Sequence, residues 1–243
     1  VVAQVANGCI TVSNVVTVRP QVFLEGPFNG AGSMADQLRA QDVIPLSEPY
    51  TGLGFVHVNG GGGEVVSASI LDITGNDAIV DWVLVEVRSS TTPSSVLATR
   101  SALVQRDGDV VGIDGVSPVL LNVAPGNYHV AVRHRNHLGV MTAAPMTLTG
   151  SAVTLDFRST TTATYGTEAR KNVNGHMVMW AGNVFRDGAV SSIRYTGQNN
   201  DRDPILSVIG GITPTAVVSG YLREDVDLSG LVKYTGSGND RDP

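Results

Sequence analysis

Hydrophobic and polar residues alternate along much of this chain, in short runs rich in valine and threonine. The clearest alternation runs from Asn127 to Arg133, directly after Pro125-Gly126. Because successive side chains of a strand point to opposite faces, this period of two predicts a β-strand with one face toward a core and the other toward solvent. Tyr128, Val130 and Val132 would form the core face, and His129, Ala131 and Arg133 the solvent face.

Seven runs of this kind predict strands, and most of them end at Gly, Asn or Asp, which favour turns. They span residues 15–25, 54–58, 65–73, 78–88, 95–105, 126–133 and 152–157. A short helix is predicted at residues 34–39. Many short strands joined by turns predict a mainly β fold, a β-sandwich of the jelly-roll or immunoglobulin-like type.

Composition divides the chain into four parts. Residues 1–18 carry no charged side chain and form a valine-rich N-terminal strand suited to donation to a neighbouring copy. Residues 19–158 form the β-sandwich, and residues 159–164 form a threonine-rich linker. Residues 165–243 form a second module, with a short helix predicted after Asp201. The chain starts without an initiator methionine, as expected of an excised fragment or of a mature protein whose export signal has been removed.

Charge and hydropathy argue against two classes of partner. The 16 Lys and Arg residues against 22 Asp and Glu give a net charge of −6, so no basic surface for nucleic acid is expected. No apolar run is long enough to predict a membrane span, because residues 1–18 are interrupted by polar side chains. Cys9 is the only cysteine, so no intrachain disulfide can form, and a bound cation is the obvious alternative staple.

A ten-residue segment occurs twice, as YTGQNNDRDP at residues 195–204 and as YTGSGNDRDP at residues 234–243. The second copy follows Asp225-Val226-Asp227-Leu228-Ser229-Gly230, where side-chain oxygens alternate before a glycine. Alternate side chains converge in a tight loop, and calcium prefers six to eight oxygen ligands, so this pattern predicts a calcium site. The ligands would come from Asp225, Asp227, Ser229, Asn239, Asp240 and Asp242.

The first copy predicts a weaker, distorted or empty calcium site, because Phe185 stands where the second copy has Asp227. Its candidate ligands are Asn183, Asp187, Asn199, Asp201 and Asp203. For both copies the alternative is a solvated turn, since Asp, Asn and Gly dominate turns. Arg202 and Arg241 are expected to hold carboxylates in place.

Further segments carry a family resemblance. They are FLEGPF at residues 23–28, NDAIVDWVLVEVR at 76–88, QRDGD at 105–109 and VRHRNHLGV at 132–140. From about residue 18 to its end, the chain resembles a C-terminal module of large secreted bacterial surface proteins, in which dockerin-like calcium repeats follow a β-sandwich. The resemblance implies an extracellular or cell-surface location and calcium-stabilised structure. The chain departs from that pattern at residues 1–18 and at its second repeat, which stops at Pro243 before a helix.

No catalytic set is evident, so an enzyme is not expected. Residues 134–137, His-Arg-Asn-His, are interpreted as a polar loop after a strand in preference to a metal site. Asp107-Gly108-Asp109 is interpreted as a hairpin turn or a minor cation contact. The sequence predicts a calcium-stabilised, self-assembling surface fibre subunit that exchanges strands between copies. The alternative is a calcium-dependent glycan-binding or adhesin module, although Trp82 and Trp180 are both expected in the core rather than stacked on sugar.

Overall fold

The computed structural model describes residues 4–6, 9–11, 14–185 and 192–242, the first two segments as backbone. The protein is mainly β, as predicted. Its strands are β1 (Gln4–Ala6), β2 (Cys9–Thr11), β3 (Val16–Gln21), β4 (Ile79–Ser89), β5 (Val96–Gln105), β6 (Val110–Val111), β7 (Val119–Leu121), β8 (Gly126–Arg133), β9 (Val140–Met141), β10 (Met146–Leu148), β11 (Val153–Asp156), β12 (Lys171–Val173), β13 (His176–Val178), β14 (Val217–Ser219) and β15 (Leu231–Lys233). The α-helices are α1 (Gln37–Ala40), α2 (Ala68–Leu71) and α3 (Arg202–Val208), and a 3-10 turn spans Gly75–Asp77.

Two sheets share the larger core, which agrees with the predicted β-sandwich. The larger sheet has the strand order β10-β8-β4-β5-β6, with β9 also paired to β8. The smaller sheet has the order β11-β3-β7, in which β3 and β11 run parallel. One buried cluster contains residues of both sheets, among them Val16 and Val18 of β3, Val85 of β4 and Val132 of β8. The β-branched residues of the predicted strands therefore bury themselves between the sheets.

Strand β4 is buried on both faces. Its side chains from Ile79 to Val87 are all buried, because residues 44–66 cover the face that does not meet the smaller sheet. In that cover the Tyr50 hydroxyl donates to the Trp82 carbonyl oxygen (2.7 Å), and the Trp82 indole donates to the Pro45 carbonyl oxygen (2.9 Å). Strand β8 has the predicted bounds, but its predicted solvent face is wrong, since His129 and Ala131 are buried.

Two predicted strands are wrong. Residues 54–58 form no strand, although the Val58 carbonyl oxygen accepts a hydrogen bond from the Thr99 backbone. Residues 65–73 contain helix α2, with only an isolated bridge between Ser47 and Val65. In these segments Phe55 and Val66 join the larger core, whereas Val56 and Val65 are exposed, so packing occurs without a regular ladder. The helix predicted at residues 34–39 is α1, which begins at Gln37.

The predicted donor segment, residues 1–18, falls into two parts. Strands β1 and β2 pair antiparallel with each other, and among the described strands with no other. Val16 and Val18 belong to β3, which lies between β11 and β7 of this chain's own smaller sheet. Residues 1–3, 7–8 and 12–13 lie outside the described residues.

The C-terminal part packs in two places. Val178 and Met179 join the larger core, and Met179 forms a parallel bridge with Leu24. The threonine-rich segment 159–164 is held by Arg170, whose guanidinium donates to carbonyl oxygens within residues 157–162. A second, smaller core lies among α3, β15 and the neighbouring loops; it consists of Ala181, Val184, Ile205, Ile209, Val226 and Val232. In the described part of the chain, no helix has the length and apolar character needed to cross a membrane.

Candidate metal centre

Three carboxylates converge beside the smaller core. Asp225, Asp227 and Asp240 each offer an oxygen, and these oxygens lie within 4.8 Å of one another. Asp225 and Asp240 are 0% and 1% exposed, and Asp227 is half-buried. Three converging acids, two of them buried, repel one another when ionised, so this arrangement can hold a metal ion.

The turn that carries Asp225 and Asp227 is organised by its own carboxylates. The Ser229 backbone donates to Asp225 (2.9 Å) and to Asp227 (3.0 Å), and the Gly230 backbone donates to Asp225 (2.9 Å). Leu228 and Gly230 have positive φ angles of 57° and 80°. A Cβ at Gly230 would lie 2.6 Å from Oε1 of Gln41, the end of a flexible and exposed side chain, so the backbone conformation is what favours glycine there.

Asp240 reaches the same point from the segment after β15. Its carboxylate accepts hydrogen bonds from the Val226 backbone (2.6 Å) and the Lys233 backbone (2.7 Å). Asp240 therefore joins the loop that carries Asp225 to strand β15. These hydrogen bonds place the third carboxylate beside the other two.

Electrostatics show that the three acids repel one another. Burial, together with the charges of Asp240 and Asp227, raises the pKa of Asp225 to about 8, against the opposing charge of Arg135 and a hydrogen bond from Gly230. Burial and the charge of Asp227 raise the pKa of Asp240 to about 6, against backbone hydrogen bonds from Lys233 and Val226. A divalent cation would relieve this repulsion. The donors are all carboxylate oxygens, which suit calcium, magnesium or manganese better than metals that prefer nitrogen or sulfur.

The other candidate ligands of the second copy have different roles. The Ser229 hydroxyl donates to the Leu231 carbonyl oxygen (3.2 Å). The Asn239 side chain bonds within the turn, donating to Gly236 and accepting from the Asp242 backbone. Asp242 is exposed and pairs with Arg241 (2.6 Å). The structure thus brings together three of the six predicted ligands, Asp225, Asp227 and Asp240. The other three, Ser229, Asn239 and Asp242, shape or flank the loop.

The first copy repeats the backbone framework without the acids. Asp201 accepts hydrogen bonds from Phe185 (2.7 Å) and Arg194 (2.6 Å), as Asp240 does from the matching loop and strand of the second copy. Asn183 and Phe185 stand where the second copy has Asp225 and Asp227. No triad of possible metal-ligating side chains forms around Asp201 among the residues that the structure describes.

Of the remaining candidates of the first copy, the structure describes Asn199 and Asp203. Asn199 is exposed with a positive φ of 58°, and Asp203 accepts a hydrogen bond from Asn200 (2.8 Å) at the start of α3. Asp187 lies outside the described residues. The first copy therefore keeps the backbone hydrogen bonds to its central aspartate, Asp201. It lacks the two acids that stand at Asp225 and Asp227 in the second copy.

Tyrosines and arginines link the two copies. The Tyr195 hydroxyl donates to Asp242 of the second copy (2.8 Å). The Arg202 guanidinium lies 4.2 Å from the ring centre of Tyr195 and 5.9 Å from that of Tyr234. Of the two arginines expected to hold carboxylates, Arg241 does so, whereas Arg202 stacks on tyrosines. The repeated Tyr and Arg residues thus join the copies into one unit.

A buried polar cluster, here called the docking cluster, joins this unit to the β-sandwich. Its centre is Asp81 of β4, which accepts from Arg135 Nε (2.9 Å) and from the Tyr221 hydroxyl (2.5 Å) and contacts His134 Nε2 (3.1 Å). Arg135 also donates to the Leu222 carbonyl oxygen. The Asn136 amide donates to the carbonyl oxygens of Arg223 (2.8 Å) and Asp225 (2.6 Å).

Residues 134–137 form a polar loop after β8, as expected, and this loop is buried rather than solvated. His134, Arg135, Asn136 and His137 are at most 2% exposed. His137 Nε2 accepts from the Gly26 backbone (3.2 Å), and a Cβ on Gly26 would overlap the Val226 carbonyl oxygen. Sequence reasoning missed this cluster, although Asp81, an acid inside an apolar run, was a signal that a buried cation lies nearby.

Burial fixes the charge state of the cluster. Burial alone would raise the pKa of Asp81, but the charge of Arg135 and the hydrogen bonds of His134 and Tyr221 hold it well below its usual range. Burial and the charges of His134 and Arg135 hold the pKa of His137 well below its usual range. Asp81 is therefore ionised and His137 neutral at neutral pH.

Comparison of the chain with protein-family models, with curated proteins and with solved structures finds no match. The resemblance to C-terminal modules of bacterial surface proteins therefore rests only on the segments quoted from the sequence. The role of the carboxylate site is inferred from its own geometry.

Proposed function

We propose that this protein is a non-enzymatic, extracellular structural protein of a bacterial cell surface, stabilised by one calcium ion bound at Asp225, Asp227 and Asp240. The observation that carries the proposal is the convergence of these three carboxylates within 4.8 Å, two of them buried. Calcium is favoured because hard oxygen donors in a flexible loop are its usual ligands and because the loop begins as calcium loops begin.

The bound charge would stabilise the attachment of the C-terminal part. Asp225 and Asp227 belong to one turn, and Asp240 belongs to the segment after β15, so a shared cation would tie these segments together. The turn that carries Asp225 is also fixed to the sandwich, because the Asn136 amide donates to the Asp225 carbonyl oxygen (2.6 Å). With three carboxylate ligands in an extracellular module, we expect a calcium dissociation constant of about 10⁻⁵ to 10⁻³ M.

Calorimetric titration with calcium tests the site. We expect one ion per chain, and we expect Asp227→Asn to weaken binding at least about tenfold, since it removes one charged ligand with little change of shape. Asp203→Asn, an Asp-to-Asn change at a candidate ligand of the first copy, is the control and should leave affinity unchanged. Two equivalent ions per chain, or normal affinity in Asp227→Asn, would contradict the assignment.

We further propose that the protein self-assembles into a fibre by strand exchange between copies. Support comes from the N-terminal segment, which lacks charge and whose described strands β1 and β2 pair only with each other. Strand β10 lies at the end of the larger sheet's strand order, and β7 and β11 lie at the ends of the smaller sheet's, so each offers an edge that an added strand could extend.

Negative-stain electron microscopy tests the assembly. With calcium present we expect ordered filaments, and we expect them to disappear when residues 1–13 are deleted, because the exchanged strand is then missing. The deletion variant should keep the thermal midpoint of the isolated wild-type subunit within a few degrees, which shows that the sandwich still folds. Monomers in the wild-type protein, or filaments that survive the deletion, would overturn strand exchange.

A further inference from the structure

A groove of about 560 Å³ lies on the larger sheet, on the face that carries Glu86, Arg88 and Arg133. The turn between β4 and β5 forms one side of it, and β9 with Tyr165 forms the other. This volume lies in the range of small-ligand sites, about 300–1,000 Å³. No residue of the groove belongs to the carboxylate site.

The floor of the groove has an excess of positive charge. Glu86 is buried and accepts from both Arg88 (2.8 Å from Nε) and Arg133 (3.3 Å from Nη1). Arg88 is two residues beyond Glu86 on the same face of β4, and Arg133 comes from the adjacent strand β8. One buried carboxylate therefore holds two guanidinium groups, and one positive charge remains uncompensated among these three side chains.

Arg133 is held in place with donors to spare. Its guanidinium lies 4.9 Å from the ring centre of Phe55, which supports one side, and its side chain is 28% exposed. Among the described residues, the Arg133 guanidinium makes one hydrogen bond, from Nη1 to Glu86. Its Nε and Nη2 can therefore donate to a ligand. A planar guanidinium fixed in advance matches a carboxylate, which can accept two parallel hydrogen bonds.

Tyr165 provides an aromatic surface on the rim. Its side chain is among the exposed large hydrophobic groups, with the residue 54% exposed, while its backbone is fixed by a hydrogen bond to the Met141 carbonyl oxygen (2.9 Å). Met141 and Val96 add apolar surface beside it. An exposed ring whose backbone is anchored offers a flat apolar face at low cost in conformational entropy.

We propose that this groove binds a saccharide that carries a carboxylate, such as a uronic acid unit. The sugar ring would lie against Tyr165, and the carboxylate would accept from Arg133. Both features are needed: the aromatic ring offers an apolar face to any sugar, while the excess guanidinium selects an acidic one. This binding is separate from the proposed calcium site and does not require it.

The test is titration with trigalacturonate in calcium-free buffer, because uronates themselves bind calcium. We expect binding by the wild-type protein, binding at least tenfold weaker for Arg133→Gln, and binding several-fold weaker for Tyr165→Ala. Galactotriose, a neutral sugar of equal length, should not bind. Arg39→Gln changes an arginine that pairs with Asp36 outside the groove, and it should bind as the wild type does.

The variants also separate this proposal from the others. Asp227→Asn should bind trigalacturonate normally, so loss of the calcium site would leave the groove intact. Tyr165 is exposed, so Tyr165→Ala remains informative if Arg133→Gln fails to fold. The proposal is overturned if the wild type does not bind trigalacturonate, if galactotriose binds equally well, if a sulfated galactose trisaccharide binds in place of the carboxylated one, or if both groove variants bind normally.

Discussion

Replacing Arg135 by methionine is expected to lower the free energy of unfolding by about 3–5 kcal/mol, the usual cost of leaving one partner of a buried ion pair without the other. Asp81 would remain fully buried on β4 with its charge supported only by His134, Tyr221 and the Trp82 backbone. Chemical denaturation of the variant and the wild-type protein at pH 7 measures this loss.

A second substitution distinguishes lost charge pairing from lost packing. Asp81→Asn combined with Arg135→Met removes both charges, so the double variant should recover a large part of the lost stability. Arg39→Met breaks a pair with Asp36 whose side chains are 16% and 20% exposed, so it should cost less than Arg135→Met, which breaks a pair whose side chains are 1% and 0% exposed. A loss below 1 kcal/mol in Arg135→Met would show that Asp81 does not depend on this partner.

Arg135→Met should also loosen the C-terminal part before the rest of the chain. Arg135 packs 4.4 Å from the ring centre of Tyr221 and donates to the Leu222 carbonyl oxygen, so its removal detaches the segment that leads into the metal loop. Hydrogen exchange should therefore accelerate between residues 221 and 242 before it accelerates in β4. Uniform acceleration along the chain would mean that the docking cluster stabilises the whole fold rather than the attachment of this segment.

The sequence was most informative where one pattern extended over several residues. Strands β4, β5, β8 and β11 lie where alternation or continuous apolar runs predicted them, because tertiary packing and local preference agree there. Helix α3 also lies where Pro204 and two following glycines predicted it. Strands such as β6 and β9 have two residues each, too few to show any period.

Burial depends on partners that sequence patterns do not reveal. His134 and Arg135 follow a strand, and polar residues at such positions usually face solvent. Their burial follows from Asp81 and Tyr221, which lie 140 residues apart in the chain. Trp180 shows the opposite error: it was expected in the core, but it is half-buried, with its indole donating to the Glu168 carbonyl oxygen (2.8 Å).

The candidate metal site was predictable in part for a similar reason. Asp225 and Asp227 converge because a two-residue spacing in a tight turn brings side chains together, and the repeat pointed to Asp240. Ser229, Asn239 and Asp242 have the right chemistry, but the turn uses their hydrogen-bonding groups locally. Whether an oxygen ligates or shapes a loop is decided by backbone geometry, which spacing alone does not fix.

Calcium is expected to raise the thermal midpoint by about 5–10 °C at pH 8 when present at about one hundred times its dissociation constant, and by less than half of that at pH 5. The reason is competition with protons. The pKa of Asp225 is raised to about 8 and that of Asp240 to about 6, so at pH 5 the metal-free native site holds protons that calcium must displace.

In the metal-free protein, the same two carboxylates make stability depend on pH in the opposite direction. An unfolded aspartate has a pKa of about 4, so between pH 4 and 8 the metal-free native state binds more protons than the unfolded state at Asp225 and Asp240. Their contribution to stability therefore falls as the pH rises through this window. His134 and His137, whose pKa values burial lowers, cause a loss of stability as the pH falls below about 6.5.

Measuring the midpoint with and without calcium at each pH separates these effects. The histidines contribute in both conditions and cancel in the difference, whereas the carboxylate site contributes only through the difference. The calcium-induced shift should therefore rise between pH 5 and 8 and level off above pH 8. At pH 8 and the same calcium concentration it should fall to about half or less in Asp227→Asn, because a tenfold weaker site stabilises less, and it should be unchanged in Asp203→Asn. A shift independent of pH would mean that calcium stabilises the protein at groups other than the buried pair Asp225 and Asp240.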